Sequence, residues 1–376
     1  MSQAAALPHM RRLRLSSTMT GYIARVHGTW FAGMMAALVG IILLVSVIDL
    51  LDRLAAKENA PLTLVLEMAA LKLPFLIQEI MPFVVLFSAM ATFWRLTRTH
   101  ELIVARAAGV SVWQFLLPVL ATAIVVGAFT VTVLNPVASA FLSRYESLET
   151  KYISRQASTL SVSETGLWLR QSDDRGQSVI HASRVSPEKM TLHHVIVFRF
   201  RGRDHFVSRI DARRAQLDDG RWVLLDALHT RPGQPGEQRE RMVMETDLTP
   251  EKIYESFAPP ETISFWSLPG FIDLLENAGF TAHRHRLQLH RLLANPVLFA
   301  AMVLLAATFS LRPQRRGRVA IVIAAGVLTA FLLHFLSNFV FALGMSSRLP
   351  VVMAAWTPAS VTLMLGLASL LHLEDG

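Results

Sequence analysis

Six stretches of this chain are long and apolar enough to cross a bilayer, and they fall into two groups of three. They are Gly28–Ile48, Phe75–Trp94, Val112–Val137, Leu292–Leu311, Val319–Leu343 and Leu349–Leu371. A spanning helix takes roughly 20 apolar residues, and it must satisfy its backbone groups internally where no water reaches them. Nothing else in the sequence restricts the fold as strongly. A mean hydropathy of +0.41 agrees with it, as does a charged fraction of only 17%. The basic, polar segment Met1–His27 precedes an apolar run too long for a signal peptide, and no small-residue cleavage site follows. Met10 and Met19 stand as alternative starts.

The net charge of +8 has a location. Between Arg144 and Arg291 lie 21 basic and 20 acidic residues, so the excess belongs to the membrane part. Arg11, Arg12, Arg14 and Arg25 precede span 1; Arg95, Arg98 and Arg106 follow span 2; Arg312, Arg315, Arg316 and Arg318 follow span 4. The short loops on the other side hold only Arg53, Lys57 and Arg348. Basic loops stay inside, which places both termini and the loop after span 2 in the cytoplasm. The basic character is then topology and does not indicate nucleic-acid binding.

That loop, Arg95–Trp113, reads as a brief helix over Thr99–Ala108. Thr99 suits the N-cap, Glu101 the first turn, where the helix dipole favours an acid, and Gly109 the C′ position. Ser111 then opens the next helix, with Gln114 at capping-box spacing. Two turns are unstable alone, so the membrane surface or a partner must hold them.

From about Phe141 to Phe265 the pattern switches to period-two alternation. Examples are Ser178–Val185, His193–Arg201, Arg221–Leu228 and Glu240–Leu248, separated by turns such as Asp218-Asp219-Gly220. This predicts an all-β domain, a sandwich, jelly roll or open barrel, between spans 3 and 4 and on the outer side. The fold class is therefore a six-span α-helical membrane protein with an inserted β-domain. Its parts are expected at 1–27 (cytoplasmic), 28–140 (spans 1–3), 141–265 (β-domain) and 266–376 (a linker helix at Pro269–Asn277, then spans 4–6). With no cysteine in the chain, the β-domain depends on its core, and an open strand edge suits strand addition.

Polar groups near the outer boundary attract attention because ionisable residues at membrane depth face protein or wet cavities. Span 2 carries Gln78 and Glu79 just before Pro82, which is expected to kink the helix, while Pro74 breaks its approach Leu62–Leu73. Span 1 ends with Asp49, Asp52, Arg53 and Lys57. His283, Arg284, His285, Arg286, His290 and Arg291 open span 4, a basic collar suited to anionic head groups or to simple snorkelling. These histidines lack an accompanying carboxylate or thiol, and no metal site is expected.

Catalytic motifs do not complete. There is no P-loop, no nucleophile elbow and no thiol; His100-Glu101 begins a zinc helix, but Val104 stands where its second His belongs. An intramembrane enzyme of another kind, or a receptor or scaffold with an outer β-domain, stays the alternative to transport.

The three-plus-three layout, with RTHELIVARAAGVS (Arg98–Ser111) after span 2, resembles the permease subunits of the lipopolysaccharide-export ABC transporter, the LptF/LptG-type family. LPFLIQEIMPFVVLFSAM (Leu73–Met90), ETGLWLR (Glu164–Arg170) and LPVVMAAWTP (Leu349–Pro358) support it, and the last spans with the ending LLHLEDG lean to the LptG-type. The resemblance implies a multi-pass protein of the bacterial inner membrane with its β-domain in the periplasm. It implies pairing with a paralogous LptF-type permease around a cavity for lipopolysaccharide. It implies an LptB-type ATPase dimer holding ATP and Mg, with no cofactor in this chain. A single-span LptC-type subunit and an LptA-type bridge would receive the lipid.

On that resemblance Glu101 and Arg106 meet the ATPase, and Ala107, Ala108 and Gly109 allow close approach. Relatives carry a basic residue near the outer end of span 1, where this chain has Asp49. Candidates for the lipid phosphates and cavity are Asp49, Arg53, Lys57, Lys72, Glu79, Arg144, Lys151, Arg284, Arg286 and Arg291.

Overall fold

The computed structural model describes residues 17–55, 61–107, 110–153, 160–163, 166–173, 176–186, 191–201, 205–218, 220–246, 258–277, 280–311 and 319–374. Lys57, Ala108, Gly109, Glu164 and Gly279 lie outside them. The helices are α1 (Ser17–Ala55), α2 (Leu62–Arg98), α3 (Glu101–Ala107), α4 (Val112–Phe129), α5 (Asn135–Tyr152), α6 (Leu268–Asn277), α7 (His283–Ser310), α8 (Val319–Met345) and α9 (Val351–Glu374). A π-helical turn, Thr130–Leu134, joins α4 to α5. Among the described residues six stretches are long and apolar enough to cross a membrane: α1, α2, α4 with the π turn and α5, α7, α8 and α9.

α7 is the centre of the bundle. Phe299 and the run Met302–Ala307 are buried in one core with Val85, Leu86, Ala89 and Phe93 of α2, Phe115 and Leu116 of α4, and Leu370 of α9. Close approach is built in with glycine, as is usual between membrane helices. A Cβ on Gly127 of α4 would stand 2.6 Å from the Cα of Pro296 in α7. α1 buries Ile23, Val26, Leu50 and Leu54 and leaves Ile41, Leu44, Val45 and Ile48 exposed, with Phe31 and Met35 packed on the main core. α8 likewise exposes Phe331, Leu332, Phe335 and Phe339.

Two expectations about the spans are corrected. α2 is one helix through both Pro74 and Pro82, so Pro74 does not break its approach. The helix after span 3 also runs past Phe141 to Tyr152 before the first strand begins. Its buried positions Ala138, Leu142, Tyr145 and Leu148 recur at helical spacing. The polar residues between them make that segment read as the start of the β-domain.

Among the described residues the β-domain is one seven-stranded antiparallel sheet in the order β1-β2-β3-β4-β5-β6-β7. Its strands are Leu160–Ser163, Gly166–Asp173, Gly176–Ser186, Thr191–Arg201, His205–Asp218, Arg221–Thr230 and Glu237–Glu245. Along a line crossing β3–β6 the inside–outside alternation slips by one. Ile180 and Ala182 are buried, then Val185; Leu192, then Val195; Ile210 and Ala212, then Ala215; Trp222 and Leu224, then Ala227. The regular pairing skips Ser183, His194, Arg213 and Asp226 on that line. His194 (φ 52°) and Asp226 (φ 53°) adopt the left-handed conformation there.

A strand whose period is exactly two would turn half its apolar residues outward across such a crease; the slip keeps them all on one core. The sheet curls far enough for Gln171 of β2 to meet the end of β7. Its Nε2 donates to the Glu245 carbonyl at 3.3 Å, and its Oε1 accepts from Thr246 Oγ1 at 2.8 Å. The linker helix begins at Leu268, one residue before the expected start. α6 closes the core from the membrane side with Ile272 and Leu275.

Candidate functional site

The short helix between α2 and α4 forms, and its capping differs from expectation. Thr99 is the C-cap of α2, its hydroxyl bonded back to the Arg95 carbonyl at 2.9 Å. The same carbonyl also accepts the Thr99 backbone N–H at 3.0 Å, so the hydroxyl bonds back into α2 instead of starting the next helix. His100, at φ 60°, turns the chain, and its carbonyl accepts the first bond of α3 from Val104 N at 3.0 Å. A non-glycine residue held there costs about 1 kcal/mol or more, which its surroundings must offset. Ser111 is the N-cap of α4, but its side chain makes no capping bond.

α3 is anchored on one side only. Leu102 is buried in the α2–α4–α7 core, with Ala105 packed against it. Ile103, Val104, Arg106 and Ala107 are exposed. Glu101 is half-buried, and its Oε1 accepts the Tyr22 hydroxyl at 3.2 Å, which ties α3 to the start of α1. Tyr22 was not visible as a site residue in the sequence, because it sits in a polar segment with no motif around it.

At the opposite end of the bundle the nine described phosphate and cavity candidates separate into three places. Asp49, Arg53, Lys72 and Lys151 gather where α1, α2 and α5 meet. Arg53 pairs with Asp49 at 3.0 Å and with Glu149 of α5 at 3.6 Å. Lys72 lies over the ring of Tyr145 at 5.1 Å, and Lys151 over Tyr152 at 5.0 Å. Arg144 is exposed on α5, and Lys57 lies outside the described residues. Asp49 is thus the partner of the Arg53 one turn later.

Glu79 and Arg291 meet in the second place, a cleft among α2, α5, α7, α8 and α9. Arg291 Nη2 lies 3.3 Å from Glu79 Oε1, and the guanidinium stacks 4.6 Å from the Phe341 ring. The walls carry the amides Gln78, Asn135, Gln288, Asn295 and Asn338, with Phe75, Phe83 and Phe341 between them. The cleft encloses about 1040 Å³ of space, open solvent included. Arg291 joins Glu79 and Phe341 by position in three separate helices, so no sequence spacing announces it.

Arg284 and Arg286 form the third place, exposed at the start of α7. Arg286 pairs with Glu276 of α6 at 2.7 Å. The nearby imidazoles have separate partners. His283 Nε2 lies 2.6 Å from the Gly344 carbonyl, His285 Nε2 3.2 Å from the Ala258 carbonyl, and His290 Nδ1 accepts from Trp356 Nε1 at 3.4 Å. No cluster with metal-ligand geometry exists among the described residues.

The sequence that builds this helix bundle and its inserted sheet matches a known family. The family described as "Lipopolysaccharide export system permease LptF/LptG" matches residues 21–372. The lipopolysaccharide export system permease protein LptG of Escherichia coli K12 is 24% identical over 305 residues, 79% of this chain and 82% of its own. LptG of Haemophilus influenzae is 21% identical over 356 residues, 91% of this chain and 95% of its own. The match spans both groups of helices and the β-domain between them, and the chain belongs to the lipopolysaccharide export permease family LptF/LptG.

Proposed function

We propose that this chain is the LptG-type half of a permease pair that lifts lipopolysaccharide from the outer leaflet of the bacterial inner membrane. ATP is hydrolysed by a cytoplasmic LptB-type dimer that holds the nucleotide and Mg, and this chain contributes no catalytic residue. The observation that carries the reading is α3: a helix pinned through Leu102 that leaves Ile103, Val104, Arg106 and Ala107 uncovered. An exposed apolar pair beside charges is what a docking helix presents to a partner's groove. Glu101 and Arg106 are its charged contacts, with Ala107, Ala108 and Gly109 giving room. Both termini are cytoplasmic and the β-domain is periplasmic, in agreement with the arginine-rich loops.

At the other end the basic groups divide the substrate between them. Arg53, Lys57, Lys72, Arg144 and Lys151 suit lipid phosphates, as do the collar residues Arg284 and Arg286, because charge-assisted bonds to phosphate are strong. The Glu79–Arg291 cleft, where one guanidinium faces the carboxylates of Glu79 and Glu261 among amides and rings, suits the hydroxyl-rich sugar portion. Acyl burial itself contributes about 0.8 kcal/mol per methylene. Leaving lipid costs a similar amount, so head-group contacts decide selectivity. The β-domain then passes the lipid to an LptC-type subunit and an LptA-type bridge.

Purification from membranes tests this. An LptF-type permease, an ATPase and bound lipopolysaccharide should accompany the chain; purification alone, with no lipid and no ATPase, would refute it. Reversing Arg284 and Arg286 together should weaken crosslinking to lipopolysaccharide, and unchanged crosslinking removes the collar.

A further inference from the structure

We infer that Asn135 and Trp266 are positioning residues that form a joint between span 3 and the β-domain, carrying movement of the span into the domain at substrate hand-over. This rests on the permease reading above. The starting point is Pro136. It has no N–H to give the Thr132 carbonyl four residues earlier, and the helix widens there into the π turn Thr130–Leu134. Inside a membrane protein such a carbonyl needs another donor. Trp266 provides one, its Nε1 donating to Thr132 O at 3.0 Å from 134 residues away. The neighbouring hydroxyls of Thr130 and Thr132 bond back to the carbonyls of Val126 and Ala128, both at 2.8 Å.

Asn135 uses both ends of its amide on the same spot. Its Oδ1 accepts the backbone N–H of Phe265 at 2.8 Å, and its Nδ2 donates to Gln78 Oε1 of α2 at 3.3 Å. It therefore fastens spans 2 and 3 and the 260–267 segment together. Val131 of the π turn, Leu268 of α6 and Leu292 of α7 form one buried cluster, with Ile263 and Phe265 packed on it. Trp266 itself is 65% exposed, so burial does not explain its placement; the indole bond and the T-shaped contact with Phe265, 5.1 Å between centroids, do. Immediately after it, α6 sends Ile272 and Leu275 into the β-domain core.

A continuous path follows. At the far end of span 3, Val112, Phe115 and Leu116 share a core with Leu102 of α3. A push on α3 moves α4, α4 carries the π turn, and the joint transfers the displacement to α6 and the sheet. π turns inside helices are frequent at functional sites, and here the turn gives the linker its acceptor.

The assembled complex tests this with Trp266→Phe, which keeps a ring and removes only the N–H donated to Thr132 O. ATP hydrolysis and crosslinking of lipopolysaccharide to this chain should stay within about twofold of wild type. Lipid delivered per ATP should fall by up to about tenfold, the factor one hydrogen bond carries. Unchanged delivery per ATP, or hydrolysis and delivery falling in step, overturns the joint. A distance probe from α4 to β5 reads the joint without cargo. Nucleotide binding by the ATPase should shift it in wild type and not in Trp266→Phe, even where absent lipid transport has already sunk the permease reading.

Discussion

The hydroxyl of Tyr22, in the first turns of α1, donates to Glu101 in the first turn of α3 across 3.2 Å. One acidic side chain thus faces two duties: it holds α3 to span 1, and it stands at the edge of the exposed face that a partner would cover. The two separate by mutation. Tyr22→Phe removes one exposed hydrogen bond and should cost at most about 0.5 kcal/mol of stability, with transport close to normal. Glu101→Arg places a positive charge against a partner chosen to meet an acid, where like-charge contact costs several kcal/mol. Export should drop about tenfold or more while the purified chain loses no more stability than Tyr22→Phe does. Normal export with normal ATPase association in Glu101→Arg would remove the coupling role.

Arg291→Ala leaves Glu79 in the cleft with its ion-pair partner gone. Both side chains keep about a third of their surface, 32% and 37%, so the loss should be about 1–2 kcal/mol, less than for a fully buried pair. The swap Glu79→Arg with Arg291→Glu restores the pair but not the stack on Phe341, 4.6 Å from the native guanidinium. Recovery of thermal stability without recovery of lipopolysaccharide crosslinking is expected. Full recovery of both would mean that charge alone matters in the cleft.

Much of this was legible in the sequence, and the reason differs from part to part. Apolar runs report spans directly, since lipid demands them along the whole length. The short loop helix was also legible, but its caps were not: Thr99 has a suitable side chain for an N-cap, and only the position of the Arg95 carbonyl decides otherwise. The strands were found by alternation. The crease through His194 and Asp226 was present as a slip in that alternation, at Ala182-Ser183-Arg184-Val185 for instance, and it reads as noise until neighbouring strands show the same slip. The cleft and the joint depend on residues from distant helices, as Asn135 with Gln78 and Phe265. No periodicity encodes such meetings.

His229 gives the β-domain a pH dependence. It is 5% exposed and its Nε2 has no hydrogen-bond partner among the described residues. Burial, then the charges of Arg231 and Arg239, hold its pKa below the ordinary 6.5. The unfolded chain therefore takes up a proton as pH falls through about 6.5 while the folded domain refuses it, and stability declines from there downward. Above about pH 7.5 both states are neutral and the effect vanishes. Hydrogen exchange of β6 and β7 should speed up in mild acid relative to His229→Phe, after correction for the intrinsic pH dependence. Identical profiles in the two proteins would contradict this.

Glycine placement separates packing inside the chain from packing against a partner. A Cβ on Gly127 would meet the backbone of Pro296 at 2.6 Å, and one on Gly366 would meet Leu304 Cβ at 2.8 Å, so α4 and α9 lie on α7 at distances only glycine permits. Gly127→Ala has no flexible side chain to push aside and must move a helix; overpacking of this kind costs about 1–3 kcal/mol. Gly33 and Gly40 of α1 differ, because a Cβ there meets nothing within 4 Å. In the isolated chain Gly33→Ala and Gly40→Ala should raise stability slightly, by about 0.5 kcal/mol each, since alanine is the better helix former. If α1 lies against the second permease through these glycines, the same substitutions should weaken the purified pair while leaving the single chain intact. Thermal melting of the chain and the yield of the pair from membranes measure the two effects separately. A Gly127→Ala chain that melts like wild type would show that α4 and α7 do not need this contact.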